Sequence, residues 1–185
     1  MDESKEIFHR NAAAAARGDA STNAETSQAH FNLGVCHEIG LGTAADAALA
    51  AKHYTLAAEN GVVGALNNLG ALLLKGGRNL PANPQRAVRY FRLEADLGFA
   101  KARHNYAICL LEGLGDIPIN PEKAAEYFGL AARQGLPEAQ NNLGLSYWLG
   151  RGVPRDPEKA RAWYAKAAAQ GHKLAQQNLA KSEPG

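Results

Sequence analysis

A short pattern, Ala-x-x-x-Leu-Gly, returns along this chain at nearly constant spacing and leaves few folds open to it. It opens at Ala29, Ala65 and Ala139. A looser copy starts at Ala102, where Tyr106-Ala107 replaces Leu-Gly, and a truncated last copy starts at Ala175. Successive starts lie 36, 37, 37 and 36 residues apart. A period of that length marks stacked supersecondary units, none of which can bury its own apolar face alone.

Each unit is punctuated in the same way. A glycine follows the opening alanine by 11 residues, as Gly40, Gly76, Gly113 and Gly150. After 6 or 7 more residues comes Asp46, Asn83, Asn120 or Asp156. A second glycine lies 15 residues further on, as Gly61, Gly98, Gly135 and Gly171. Aspartate and asparagine cap helix N-termini, because the side-chain oxygen accepts from an otherwise unpaired backbone N–H. Pro84, Pro121 and Pro157 follow three of these caps, at the first helical position, where a missing N–H costs nothing. The later glycines stand where a left-handed residue ends a helix. Each unit therefore reads as helix A, a turn, helix B and a tight turn into the next unit. The variable length falls in the first turn, as expected of an exposed connection.

The faces agree with this division. Helix B carries Ala50/Tyr54/Ala58, Ala87/Phe91/Ala95, Ala124/Phe128/Ala132 and Ala160/Tyr164/Ala168, residues four apart that share one face. Tyr90, Tyr127 and Trp163 add a second aromatic in three units. Helix A presents Ala29/Leu33, Ala65/Leu69, Ala102/Tyr106 and Ala139/Leu143. Residues 1–27 read as an N-terminal cap, with Phe8 in the place of a helix B aromatic, Gly18 ending the helix and a polar loop over 19–27. Residues 28–181 hold four full repeats and a partial C-terminal helix, and 182–185 form a frayed tail.

These residues resemble the Sel1-like repeat (SLR) family, relatives of the tetratricopeptide repeat. The unit from Ala139 to Gly171, AQNNLGLSYWLGRGVPRDPEKARAWYAKAAAQG, carries the likeness most fully. The third unit follows with Gly113-Leu114-Gly115 and Pro121-Glu122-Lys123-Ala124-Ala125-Glu126-Tyr127-Phe128. The second departs most, with Gly76-Gly77-Arg78-Asn79 in its turn. The resemblance implies an all-α fold, a right-handed superhelical solenoid of stacked antiparallel helix pairs. It also implies a protein–protein adaptor or scaffold that binds a partner peptide or protein, as a free adaptor or as a subunit or assembly factor of a larger complex. If helix A lines the concave side, as in tetratricopeptide stacks, the partner-binding groove comprises Phe31, Val35, Asn67, Leu74, His104, Ile108, Leu111, Asn141, Leu145 and Trp148. Glu38, Lys75 and Glu112 would stand at its margin, and Trp148 would be the strongest anchor.

Other chemistry is weakly signalled. The net charge of +2 argues against a nucleic-acid partner, and Arg86, Arg89, Arg92, Lys101 and Arg103 are interspersed with Glu94 and Asp96 as on a solvated face. No apolar run is long enough for a membrane span. The N-terminus, Met-Asp-Glu-Ser-Lys-Glu, reads as neither a secretory nor a mitochondrial leader, which makes the cytoplasm the expected compartment, with mitochondrial or other import as the alternative. No cofactor motif, catalytic set or metal motif such as His-Glu-x-x-His or Cys-x-x-Cys occurs, so neither enzyme activity nor a cofactor is expected. Two alternatives stay open: a β-lactam-binding, hydrolase-like member of the repeat family, and a thiol- or metal-responsive sensor using Cys36 and His37. The hydrolase-like branch carries a cysteine pair in each repeat, whereas this chain has Cys36 and Cys109 alone. A recurring asparagine, at Asn32, Asn68, Asn105, Asn142 and Asn178, admits two readings: a ladder gripping a bound peptide backbone, or a structural bond to the turn joining neighbouring repeats. Its return in the truncated last unit favours the structural one.

Overall fold

The computed structural model describes residues 2–16 and 23–182. Among these described residues ten α-helices follow one another: α1 (Glu3–Ala16), α2 (Asn23–Ile39), α3 (Ala47–Glu59), α4 (Ala65–Lys75), α5 (Pro84–Asp96), α6 (Ala100–Glu112), α7 (Pro121–Arg133), α8 (Pro137–Leu149), α9 (Pro157–Ala169) and α10 (Lys173–Lys181). A short 3-10 turn, Leu114–Asp116, follows α6. Among the described residues there is no strand, only an isolated bridge between Gly77 and Leu80. The chain divides into two compact units, Met1–Tyr90 and Phe91–Gly185. In the first, α1 packs on α2, α2 on α3 and α3 on α4. In the second, α6, α7, α8, α9 and α10 pack each on the next.

The turns are held by a bond that recurs in every repeat. The backbone N–H of each cap residue donates back to helix A: Asp46 to the His37 carbonyl, Asn83 to Leu73, Asn120 to Leu110 and Asp156 to Tyr147, at 2.8–2.9 Å. The cap side chains then accept from their own helices. Asp46 takes the N–H groups of Ala48 and Leu49, Asn83 that of Arg86, Asn120 that of Lys123 and Asp156 that of Lys159. A turn of 6 or 7 residues is thus closed at the same two points whatever its length. Gly61, Gly98, Gly135 and Gly171 all hold positive φ, between 78° and 102°, where a β-carbon is resisted.

The core is alanine and aromatic, as the pattern implies. Tyr54, Phe91, Phe128 and Tyr164 are all fully buried. One expectation shifts by a residue. In α3 and α9 the alanine sealed behind the aromatic is Ala57 and Ala167, whereas Ala58 and Ala168 are half-buried. With 3.6 residues per turn, positions three and four beyond the aromatic flank the same face, and here the nearer one meets the neighbouring helix. The glycine of Leu-Gly works by close approach. A β-carbon on Gly34 would stand 2.6 Å from the Tyr54 ring, and one on Gly144 2.7 Å from the Tyr164 ring.

At the N-terminus, α1 sits against the first repeat as a helix B would. Gly42, in the turn after α2, abuts the Ser4 carbonyl of α1, just as Gly152, in the turn after α8, abuts the Pro121 carbonyl of α7. Asn32 of α2 donates to Asn11 of α1 at 3.1 Å. Two boundaries differ from the sequence reading. Helix α2 begins at Asn23, inside the stretch read as loop, with Glu25 in the first turn where a carboxylate favours the helix dipole. Ser182, read as frayed tail, is buried and caps α10, its hydroxyl donating to the Leu179 carbonyl at 2.7 Å. Gly18 and residues 183–185 lie outside the described residues.

Candidate interaction surface

The second unit carries an open hollow of about 260 Å³ between the first helices of two consecutive repeats, α6 and α8. Its walls are Ile108 and Leu111 from α6, and Leu145 and Leu149 from α8, with Phe128 of α7 as the third contributing helix. Leu145 is 39% and Leu149 59% exposed, a large apolar area left facing solvent. Glu112 and Arg151 add opposite charges. Arg151 is held in place, since its guanidinium donates to the Leu111 carbonyl at 3.0 Å.

The ten residues expected to line a groove fare unequally. Ile108, Leu111 and Leu145 come together at this hollow. His104 is engaged within the fold: its ring lies 5.6 Å from Phe128 and its Nε2 meets the Asn142 amide at 3.0 Å. Asn67 and Asn141 are buried, at 7% and 2% exposure, and present little surface to a ligand. Phe31 leans on Tyr54 at 5.7 Å, and Phe31, Val35 and Leu74 are half-buried in the first unit. Trp148 does not line the hollow; its ring lies beneath the Arg155 guanidinium, 5.8 Å from the ring centre. Leu149 and Arg151 line it as well, beyond the ten residues that the repeat pattern indicates. Leu149 was findable, because it stands one turn beyond Leu145 on the same helix face. Arg151 was not, because its position follows from the left-handed Gly150, with φ 68°, that turns the chain back towards α6.

Three of the recurring asparagines, Asn32, Asn142 and Asn178, bond between helices, whereas Asn68 and Asn105 meet the residue just before them, Asn67 and His104. Asn178 donates to Asn141 at 2.9 Å, and Asn142 meets His104 at 3.0 Å. In both, the asparagine of one repeat reaches the residue just before the asparagine of the preceding repeat. The partner is the preceding helix A and not the turn expected from sequence. Asn32 makes the corresponding bond to α1. Burial holds the His104 imidazole below its usual proton affinity, which keeps its ring neutral beside these amides.

The positively charged stretch is solvated in part. Arg86, Arg89, Arg92 and Lys101 are exposed, but Glu94 is buried and Arg103 is half-buried, donating to the Ala95 carbonyl at 3.2 Å. Both cysteines are free and buried. Burial raises the Cys36 thiol above its ordinary range and pushes Cys109 up to about 12, so neither is a reactive thiolate. Among the described residues no group of three or more His, Cys, Asp or Glu side chains is placed to hold a metal ion. Among them, too, no helix is long and apolar enough to cross a membrane.

Comparison with known proteins gives this architecture its class. The Sel1 repeat family profile matches residues 27–62, 63–99, 100–136 and 137–172, four repeats in direct succession. The chain belongs to the Sel1 repeat family. Proteins of this family generally mediate protein–protein interaction, and their fold is typically non-catalytic. A protective antigen present in uropathogenic Escherichia coli strains, displaying an SLR fold, is similar over 93% of this chain and 35% of its own length, at 30% identity and TM-score 0.79. A Sel1 repeat protein from Oxalobacter formigenes is similar over 88% of this chain and 48% of its own, at 29% identity and TM-score 0.70. The chain thus spans between a third and a half of these two structures. A Pseudomonas aeruginosa protein, PA5086, shares the fold at 20% identity and TM-score 0.56, covering 95% of this chain and 69% of its own. Comparison with curated protein sequences found no match.

Proposed function

We propose that this chain is a protein-interaction adaptor that takes an apolar side chain of its partner, carried on an amphipathic helix or extended peptide, into the hollow between α6 and α8. The exposed leucine pair Leu145 and Leu149, facing Ile108 and Leu111, is the observation that supports this reading. At about 260 Å³ the hollow falls below the range of sites that enclose a drug-sized ligand, roughly 300–1,000 Å³. It suits a side-chain anchor better than a cofactor. Glu112 and Arg151 give the rim opposite charges, a means of orienting the entering segment.

The test starts from a random peptide library displayed on phage and panned against the folded chain. Selected peptides should share a Leu, Phe or Met anchor. Their affinity, measured by calorimetry, should fall about 30-fold or more for Leu145→Asp/Leu149→Asp, the loss of a central anchor. Melting should barely move, because both leucines are already exposed. Peptides without an apolar anchor, or unchanged affinity for the double variant, would move the site elsewhere.

A further inference from the structure

In the first unit, three histidines stand where the other repeats keep different residues. His53 takes the place held by Tyr90, Tyr127 and Trp163. His37 takes that of Leu73, Leu110 and Tyr147, and His30 that of Leu66, Arg103, Gln140 and Gln176. The structure gathers them into one stack. The His53 ring is central, 5.2 Å from His30 and 5.5 Å from His37, the latter within 3° of parallel. Nδ1 of His30 meets Nδ1 of His53 at 3.0 Å. On its far side the His37 ring takes an edge-on contact from Phe8 of α1, with centres 5.5 Å apart. Nδ1 of His37 is buried and has no hydrogen-bond partner. The stack thus joins α3 to α2 and α2 to α1.

We propose that His30, His53 and His37 form a proton-operated latch that holds α1 and the first hairpin closed at neutral pH and releases them on mild acidification. The Nδ1 contact fixes the protonation it tolerates. One nitrogen must carry a hydrogen and the other must offer a lone pair, so the pair can share one added proton but not two. A second proton would either set two N–H groups face to face or charge the ring stacked 5.5 Å away.

The surroundings supply little compensation. Lys52 on α3 adds positive charge near His30 and His53, and Asp46 in the α2–α3 turn is the carboxylate beside His37. Arg78, from the turn after α4, lines the same polar hollow as His37 and Asp46. Glu38 is taken by the Tyr54 hydroxyl, and α1 brings His9 against Phe8. Burial lowers the proton affinity of all three histidines, and that of His53 to about 4, helped by its two neighbours and Lys52. Because these affinities lie below the value of 6.5 for a free imidazole, the opened form binds more protons. The latch is therefore intact above about pH 6.5 and weakens as the pH falls towards about 4.

The chain carries its own reporter. Cys36, beside His37, and Cys109, in the second unit, occupy equivalent repeat positions, and both are buried and free. Labelling with a pyridyl disulfide that reacts in acid as well as at neutrality, followed by peptide mass spectrometry, gives the Cys36:Cys109 ratio. Both thiols titrate well above the range studied, so the change in thiolate fraction cancels in that ratio. We expect the ratio to rise roughly tenfold between pH 7 and pH 5, with allowance for screening at the half-buried His53. The variant His30→Gln/His37→Leu/His53→Tyr, built from residues the other repeats use, should hold the ratio flat. His53→Tyr alone should flatten most of it if the triple variant folds poorly. A flat ratio in the unaltered chain overturns the latch, as does an equal rise in a variant with a native circular dichroism melt. Amide exchange over α1, corrected for intrinsic rates, should accelerate in the same window, and unchanged protection there would also refute it.

Discussion

Two glycines inside helices of the second unit should respond to alanine in opposite directions. Each substitution gains about 0.8–1 kcal/mol from helix propensity, because a glycine in a helix interior surrenders more backbone freedom. At Gly144 the new β-carbon would stand 2.7 Å from two Tyr164 ring carbons and 3.1 Å from the Ala160 carbonyl oxygen. The carbonyl belongs to α9 and the ring is fully sealed, so relief requires α8 and α9 to separate. Overpacking of this kind costs about 1–3 kcal/mol. The third repeat bounds the penalty, since it keeps Ala107 in the equivalent place, fully buried, opposite a helix bearing Phe128. A net loss of up to about 2 kcal/mol is expected, or a melting temperature lower by up to roughly 8 °C for a chain of this size. At Gly129 the atoms nearest the same β-carbon belong to the tip of Arg133, at 3.3 Å, a flexible group that can swing away. Propensity should win there, with a gain of up to about 1 kcal/mol. Denaturant unfolding followed by circular dichroism measures both. If Gly144→Ala gains as much stability as propensity alone supplies, close approach is not what keeps glycine in the repeat. If Gly129→Ala destabilises, the neighbourhood of α7 is tighter than its contacts indicate.

Gly135→Val should cost about 1–2 kcal/mol through backbone strain alone, since φ is 91° and nothing lies within 4 Å of the added carbon; an unchanged urea midpoint would remove the left-handed turn from the account. Asn141→Ala should cost about 1–3 kcal/mol by stranding the Asn178 amide, and a double-mutant cycle with Asn178→Ala should show coupling; additive losses would mean the two side chains do not depend on each other. Thiol titration at neutral pH should find both cysteines slow in the folded chain and both reactive once it is unfolded without reductant; a lower count after unfolding would place one of them in a disulfide.

The scaffold was legible because each repeat states its rules again. A cap at Asp46 alone would be a weak signal, but the same residue type recurs at Asn83, Asn120 and Asp156, each closing its turn onto helix A at the same carbonyl position. Glycine after glycine then confirms a helix end by its positive φ. The surface was less legible. Periodicity tells which helix face an alanine occupies, but not how far a neighbouring helix covers the rest of the circumference. Asn141 therefore reads as open yet is 2% exposed, whereas Leu149, at the helix end and beyond the ten indicated residues, is 59% exposed. Trp148 read as an anchor because of its side chain, yet Arg155 lies seven residues beyond it and returns only because the turn at Gly150 reverses the chain.

Recurrence also sorts the residues that are free to differ. Positions that close turns or fill the contact between helices are repeated, because any departure is felt by two neighbouring helices at once. Departures at such positions are therefore informative. A tyrosine or tryptophan at position 53, the residue types that Tyr90, Tyr127 and Trp163 supply in their repeats, would fill the same place without titrating in the physiological range. Histidine there provides a ring that packs when neutral and resists packing when charged, and the first repeat has it at two further positions against the same neighbour. Leu145 and Leu149 are departures of another kind, apolar residues left uncovered on a helix whose other apolar face is already satisfied. The two sets lie in different units, so one substitution set can be tested without disturbing the other. The leucine variants should leave the Cys36:Cys109 ratio unchanged at every pH, and the histidine variants should leave the affinity of a selected peptide unchanged at neutral pH. A cross effect in either direction would mean that the two units do not act independently.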